Sequence, residues 1–154
     1  MFEISHLTPA LPKTKKRAVR ALIIQDNQLL LMHLRHSNTY VLPGGSVVEG
    51  ESLNDAIARE VKEETGYTVK SAEKILEIHE HHSDLLRHHF IYRCTINNTP
   101  DNGALTDEEK ALGMHLVKVP LEKAADILAF NKGTHALSEA IQMREFVAFM
   151  HGVY

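Results

Sequence analysis

From Arg17 onward, short apolar runs of strand character alternate with stretches punctuated by glycine, proline, asparagine and aspartate. RAVRALII and QLLLMHLR, separated by Asp26-Asn27, predict a β-hairpin closed by turn-forming residues. A short strand around Tyr40–Leu42 runs into Pro43-Gly44-Gly45, a strong turn signal. Ser52 is an N-cap candidate for a helix from Leu53 to about Thr65, and Gly66 is its natural stop. Two strands are expected near 67–80 and 86–96, joined by Ser83-Asp84, followed by a polar loop over 97–110. A strand at 114–119 leads into a helix opened by Pro120, and Gly133-Thr134 precede a final helix that buries Leu137, Ile141 and Val147. Residues 1–16, with Pro9 and Pro12, predict an irregular lead-in. Without repeats or a linker, 1–154 is expected to form one α/β domain, a mixed β-sheet with helices on its faces.

The central helix departs from ordinary amphipathic patterning. At about 100° per residue, Leu53, Ala56, Ile57 and Val61 share one face. Glu60 and Glu64 fall in the middle of that face, with Glu63 off its centre, while Asp55 and Lys62 lie opposite. Carboxylates that continue a core stripe are costly to bury, and at this spacing they repel one another. A divalent cation removes both penalties, and hard oxygen ligands select Mg²⁺, Mn²⁺ or Ca²⁺. On the wheel alone an exposed helix end, with Arg59 and Lys62 balancing the acids, stays open.

Composition narrows the classes. The apolar share of 44% and charged share of 24% are those of an ordinary globular protein, and a net charge of −3 argues against a broad grip on polymeric nucleic acid or anionic lipid. No apolar run reaches the length of a membrane span, and the N-terminus lacks the apolar core of a signal peptide. Cys94 is the single cysteine, so no intramolecular disulfide forms and a cytoplasmic location is expected.

Gly45, five residues, Glu51, seven residues, then Arg59-Glu60-Val61-Lys62-Glu63-Glu64-Thr65-Gly66-Tyr67 resembles the Nudix box, the signature of the Nudix hydrolases. The family pattern is G-x5-E-x7-R-E-U-x-E-E-x-G-U, with U a bulky aliphatic residue, and Tyr67 is the one misfit. Tyr40-Val41-Leu42-Pro43-Gly44-Gly45 also resembles the family's approach to the box, with tyrosine in the place of a common tryptophan, and Glu49 stands one position after a frequent glutamate. The resemblance implies a Nudix-type α/β/α sandwich and a loop-helix-loop with Glu60, Glu63 and Glu64 as metal-side glutamates. It further implies the Gly45 carbonyl as an additional ligand, Arg59 as the group that orients a neighbouring carboxylate, and Glu51 as a scaffold anchor. The implied activity is Mg²⁺-dependent hydrolysis of a diphosphate bond in a nucleoside diphosphate derivative, with Mn²⁺ as a substitute metal. Glu60 or Glu63 is the expected general base. The family alternatively takes its base from a distal loop, here Asp107, Glu108 and Glu109, although a solvated acidic turn is the simpler reading of those three residues.

The histidine-rich HEHHSDLLRHH (79–89) lacks zinc-site spacing with cysteine. His79 and His81 share one strand face, and Arg87 and His89 share one face of the next, as ordinary strand positions or as a pocket lining with Arg87 toward phosphate. His33 and Arg35 offer a phosphate contact, Tyr40 a stacking surface, and Phe90, Tyr92 and Cys94 a core stripe. A non-catalytic nucleotide sensor on the same fold is the rival reading, but its expected mark, loss of the acidic positions, is missing. An isomerase, or a hydrolase of non-nucleotide diphosphates, on this fold stays open, as does a homodimer.

Overall fold

The computed structural model describes residues 2–5, 14–82 and 84–154. Its strands are β1 (Phe2–Ser5), β2 (Thr14–Gln25), β3 (Gln28–Leu34), β4 (Thr39–Val41), β5 (Gly44–Ser46), β6 (Val69–His82), β7 (Leu85–Ile96) and β8 (Met114–Pro120). Its helices are α1 (Leu53–Thr65), α2 (Asp107–Ala111), α3 (Leu121–Phe130) and α4 (Ser138–Val153). The mixed sheet runs β1-β6-β7-β2-β3-β4, with β5 on β2 and β8 on β3. β2 lies parallel to β7 and antiparallel to β3. One apolar layer joins Val19, Ala21, Ile23 and Tyr92 to Ala56, Ile57 and Val61 of α1. The other joins Leu22, Leu29, Leu31 and Ile91 to Ala124, Leu128, Ala148 and Phe149 of α3 and α4. The result is an α/β/α sandwich.

Local chemistry accounts for the elements. Asp26 and Asn27 both take positive φ, 53° and 62°, the backbone that a tight hairpin needs between β2 and β3. Ser52 Oγ accepts from the Asp55 amide at 3.1 Å to open α1, and Gly66, at φ 79°, closes it. Tyr67 occupies its aliphatic position as core: it is buried, and its hydroxyl accepts a 2.9 Å bond from Lys118.

Four details differ from the sequence reading. The lead-in over 1–16 is not wholly irregular: β1 pairs in parallel with β6, and β2 starts at Thr14; residues 6–13 lie outside the described residues, as does Ser83 of the expected β6–β7 connection. Gly44-Gly45 belongs to a short strand rather than a turn. β5 fits against β2 because Gly44 has no side chain, since a Cβ there would stand 1.9 Å from the Val19 carbonyl oxygen. The loop over 97–110 ends in α2, which opens with a capping box between Thr106 and Glu109. Finally, Leu137, Ile141 and Val147 are only half-buried, and the innermost positions of α4 include Arg144 and Glu145.

That last difference creates a buried polar layer. Arg144 Nη1 donates to Glu80 Oε1 at 3.2 Å, Arg144 Nε donates to Glu145 Oε1 at 3.1 Å, and His89 Nε2 lies 3.2 Å from Glu80 Oε1. Burial, reinforced by the Arg144 charge, holds His89 well below the ordinary imidazole range. Burial opposes ionisation of Glu80, but the His89 bond and the Arg144 charge outweigh it and keep its carboxylate far below the usual range. Both folded-state values are depressed, so both contributions to stability are complete above the unfolded values and are lost as pH falls. His89 acts first, below about 6.5, before any carboxylate is affected. Denaturant titrations at pH 7.5 and 5.5 are expected to show wild type losing stability at the lower pH, and His89→Gln losing less. Equal losses in the two proteins would remove His89 from this role.

Candidate active site

The site forms where the C-terminal half of α1 meets β5 and α2. Glu60 and Glu64 are buried on α1. Glu109 reaches them from α2, and one ligand atom from each of the three carboxylates lies within 4.8 Å of the others. Glu64 Oε1 accepts from the Gly44 amide at 3.0 Å, whereas Glu64 Oε2 is buried with no hydrogen-bond partner. Burial pushes the Glu64 carboxyl well above its ordinary value, and the Glu109 carboxyl beside it pushes further. Burial also raises Glu60, against the pull of Arg59. Hence the surroundings oppose full ionisation of the cluster. An orphaned carboxylate oxygen among three converging acids fits a hard divalent cation.

Arg59 organises the other side. It grips Glu51 through Nε at 2.7 Å and Nη2 at 3.0 Å, a two-point clasp, and Nη2 also donates to the Ser46 carbonyl at 3.1 Å. Its Nη1 spans Glu60 Oε1 at 3.0 Å and Glu63 Oε2 at 3.2 Å. Glu51 in turn accepts from the Val48 amide at 3.1 Å, which fixes the loop before α1. Gly45 lies directly against Glu60, since a Cβ at that position would meet Glu60 Oε1 at 2.6 Å.

The residues singled out in sequence therefore separate. Glu60 and Glu64 converge with Gly45 beside them, while Glu63 is half-exposed, outside the three-carboxylate group, and tied to it through Arg59. Of the acidic turn, Asp107 and Glu108 are exposed, and Glu109 joins the cluster. The capping-box spacing of Glu109 from Thr106, which fixes α2 in place, is a sequence signal that sets it apart from its acidic neighbours. His33 packs on Tyr40, with ring centroids 4.5 Å apart, and edge-on to His115. His89 is committed to Glu80 and Arg144. Cys94 is buried, and burial pushes its thiol up to about 12, which leaves it inert.

A mixed sheet between helices carries a glycine strand and, at one end of the central helix, a carboxylate cluster that could hold a metal ion. The family model of the NUDIX domain matches residues 14–137. The chain belongs to the Nudix family, whose members in general use a divalent metal. It is 41% identical over 56 residues to the ADP-ribose pyrophosphatase of Methanocaldococcus jannaschii, covering 34% of this chain and 33% of that one. It is 49% identical over 49 residues to the NAD-capped RNA hydrolase NudC of Vibrio parahaemolyticus, covering 30% of this chain and 19% of that one. These matches span about a third or less of the relatives' own lengths. A NUDIX hydrolase from Nitrosomonas europaea superposes with a TM-score of 0.64 at 19% identity, over 88% of this chain and 90% of that one, and shares its fold. Among the described residues no helix is long and apolar enough to cross a membrane.

Proposed function

We propose that this protein is a cytoplasmic, Mg²⁺-dependent pyrophosphohydrolase that cleaves the diphosphate bond of a small nucleoside diphosphate derivative. The observation that carries this reading is the convergence of Glu60, Glu64 and Glu109 with a buried, unpartnered oxygen on Glu64. These three carboxylates, with the Gly45 carbonyl, would hold Mg²⁺, or Mn²⁺ in its place. The bound ion supplies neutralisation of phosphate oxygens and acidification of a water. Arg59 positions Glu60 and Glu63 together through one guanidinium nitrogen. Glu63, outside the cluster, has the freedom to accept the proton of the attacking water, and is the general base in this scheme. Glu64 keeps its place through the Gly44 amide. The names of the two relatives point to ADP-ribose and to the NAD cap, and a diphosphate bridge is common to both.

The test is hydrolysis of ADP-ribose, NAD, dinucleoside polyphosphates, sugar nucleotides and an NAD-capped oligonucleotide, with products identified by mass spectrometry. Turnover that requires Mg²⁺ or Mn²⁺ and stops with chelator is expected. Tight binding with no turnover across the panel would favour a sensor. Gly45→Ala supplies a geometric check. Its methyl group displaces the Glu60 carboxylate, and misplacement on the scale of 1 Å costs roughly 100-fold in rate. Wild-type kinetics in that variant would contradict the placement of Glu60.

A further inference from the structure

The sheet face under α4 carries charges that the proposed reaction does not use. Leu22 and Ile91 belong to the α4-side core, so strand alternation puts Arg20 of β2 and Arg87 of β7 on that same face. Arg144 approaches them from α4, which brings three guanidiniums into one layer. Two carboxylates serve that layer, and Arg144 takes both, Glu80 and Glu145. Arg20 makes one hydrogen bond, from Nη1 to the Leu42 carbonyl at 3.2 Å, and its Nε is buried without a partner. Arg87 Nε is likewise buried without a partner. Among the described residues neither side chain has a carboxylate within the 4.0 Å of an ion pair.

Arg20 also stands next to the carboxylate cluster, and Arg87 lies near enough for Arg20 to feel its charge. Arg20 is the register partner of Gly44, and Gly44 is the residue whose amide holds Glu64. Arg20 feels the charges of Arg144, Glu145, Glu64 and Arg87, and burial together with Arg144 lowers its pKa. Two mutually repelling guanidiniums, each with a buried Nε that lacks a partner and neither in a close ion pair, are costly to hold together. An anion beside these guanidiniums relieves their repulsion, as a cation relieves that of the acids.

We propose that Arg20 and Arg87 form an anion subsite that grips the second phosphate of the substrate's diphosphate, the one not seated on the Glu60–Glu64–Glu109 cluster. This deepens the hydrolase reading and rests on it. Guanidinium forks suit phosphate oxygens, and unpartnered Nε groups leave donors in place for them. Arg144, already neutralised, is structural.

Methylenediphosphonate, whose bridge is not hydrolysed, is the probe, titrated calorimetrically with Mg²⁺ present. Arg20→Gln and Arg87→Gln are each expected to raise its Kd about tenfold or more. Arg20→Lys is expected to recover part of the loss, and Lys123→Gln, an exposed site on α3, to bind as wild type. The melting temperature of Arg20→Gln should stay level or rise, because burial and the Arg144 charge both oppose the charged guanidinium. Unchanged Kd in both glutamine variants overturns the subsite. So does a fall in melting temperature with unchanged affinity, which would make Arg20 a structural ion-pair partner. Wild type that binds the diphosphonate but hydrolyses nothing would refute the hydrolase reading and leave the subsite standing; hydrolysis with diphosphonate affinity indifferent to both arginines would do the reverse.

Discussion

Glu64→Gln is expected to reduce metal-dependent turnover by ~10³-fold or more while the metal-free protein melts at or above the wild-type temperature. Glutamine keeps an oxygen for the Gly44 amide and nearly the same shape, so the contact between α1 and β5 survives. What disappears is a buried carboxyl whose ionisation is opposed by burial and by Glu109, and which has one oxygen without a partner. Removing it relieves repulsion in the unliganded fold and removes a ligand from the loaded one. Metal-derived transition-state stabilisation of several kcal/mol corresponds to about three decades of rate. Steady-state kinetics gives the first half of this expectation, and thermal melts with chelator or Mg²⁺ give the second. Wild type should be stabilised by added metal, as any ligand stabilises the state that binds it, and the variant should gain much less. Glu60→Gln should behave alike in turnover. Near-normal Mg²⁺-dependent hydrolysis in either variant would take that glutamate out of the centre.

How much of this was readable without coordinates depends on where the governing interactions lie along the chain. α1 was legible to the residue because its signals are local: Ser52 and Gly66 bracket it, and the wheel places Glu60 and Glu64 inward. The β2–β3 hairpin was legible for the same reason, through Asp26 and Asn27. β1 was missed because a short parallel strand is specified by its partner β6, far away in sequence. Gly44-Gly45 read as a turn because glycine signals turns, whereas here the missing side chain of Gly44 admits a close approach to β2 and that of Gly45 leaves room for Glu60. Glu109 was named, but only tertiary folding brings it, and not its exposed neighbours Asp107 and Glu108, into the cluster. In α4 the apolar stripe of Leu137, Ile141 and Val147 misled, since Arg144 turns inward to meet Glu80 on a strand distant in sequence and Glu145 turns inward to pair with Arg144. Charge complementarity of that kind leaves no period in the sequence.

Arg144→Met should reveal how much that inward turn matters. Both carboxylates that Arg144 neutralises are buried, Glu80 at 1% exposure and Glu145 at 0%. Methionine fills part of the volume but leaves two acids in a low-dielectric layer with His82 and His89 as the remaining partners of Glu80. Removing one member of a buried ionic group costs about 3–5 kcal/mol. At ~2–4 °C per kcal/mol for a chain of this length, the melting temperature should fall by roughly 10 °C. The cause is separable from lost packing by adding Glu80→Gln and Glu145→Gln to Arg144→Met. With neither carboxylate left to strand, and with the Arg144 charge that opposes Arg20 also gone, the triple variant should recover part of the loss. A single variant that melts within a degree or two of wild type would mean that water reaches the layer and the pairing contributes little. A triple variant worse than the single one would mean that the carboxylates are held by groups other than Arg144, and that α4 is anchored by its apolar residues Ala148 and Phe149 instead.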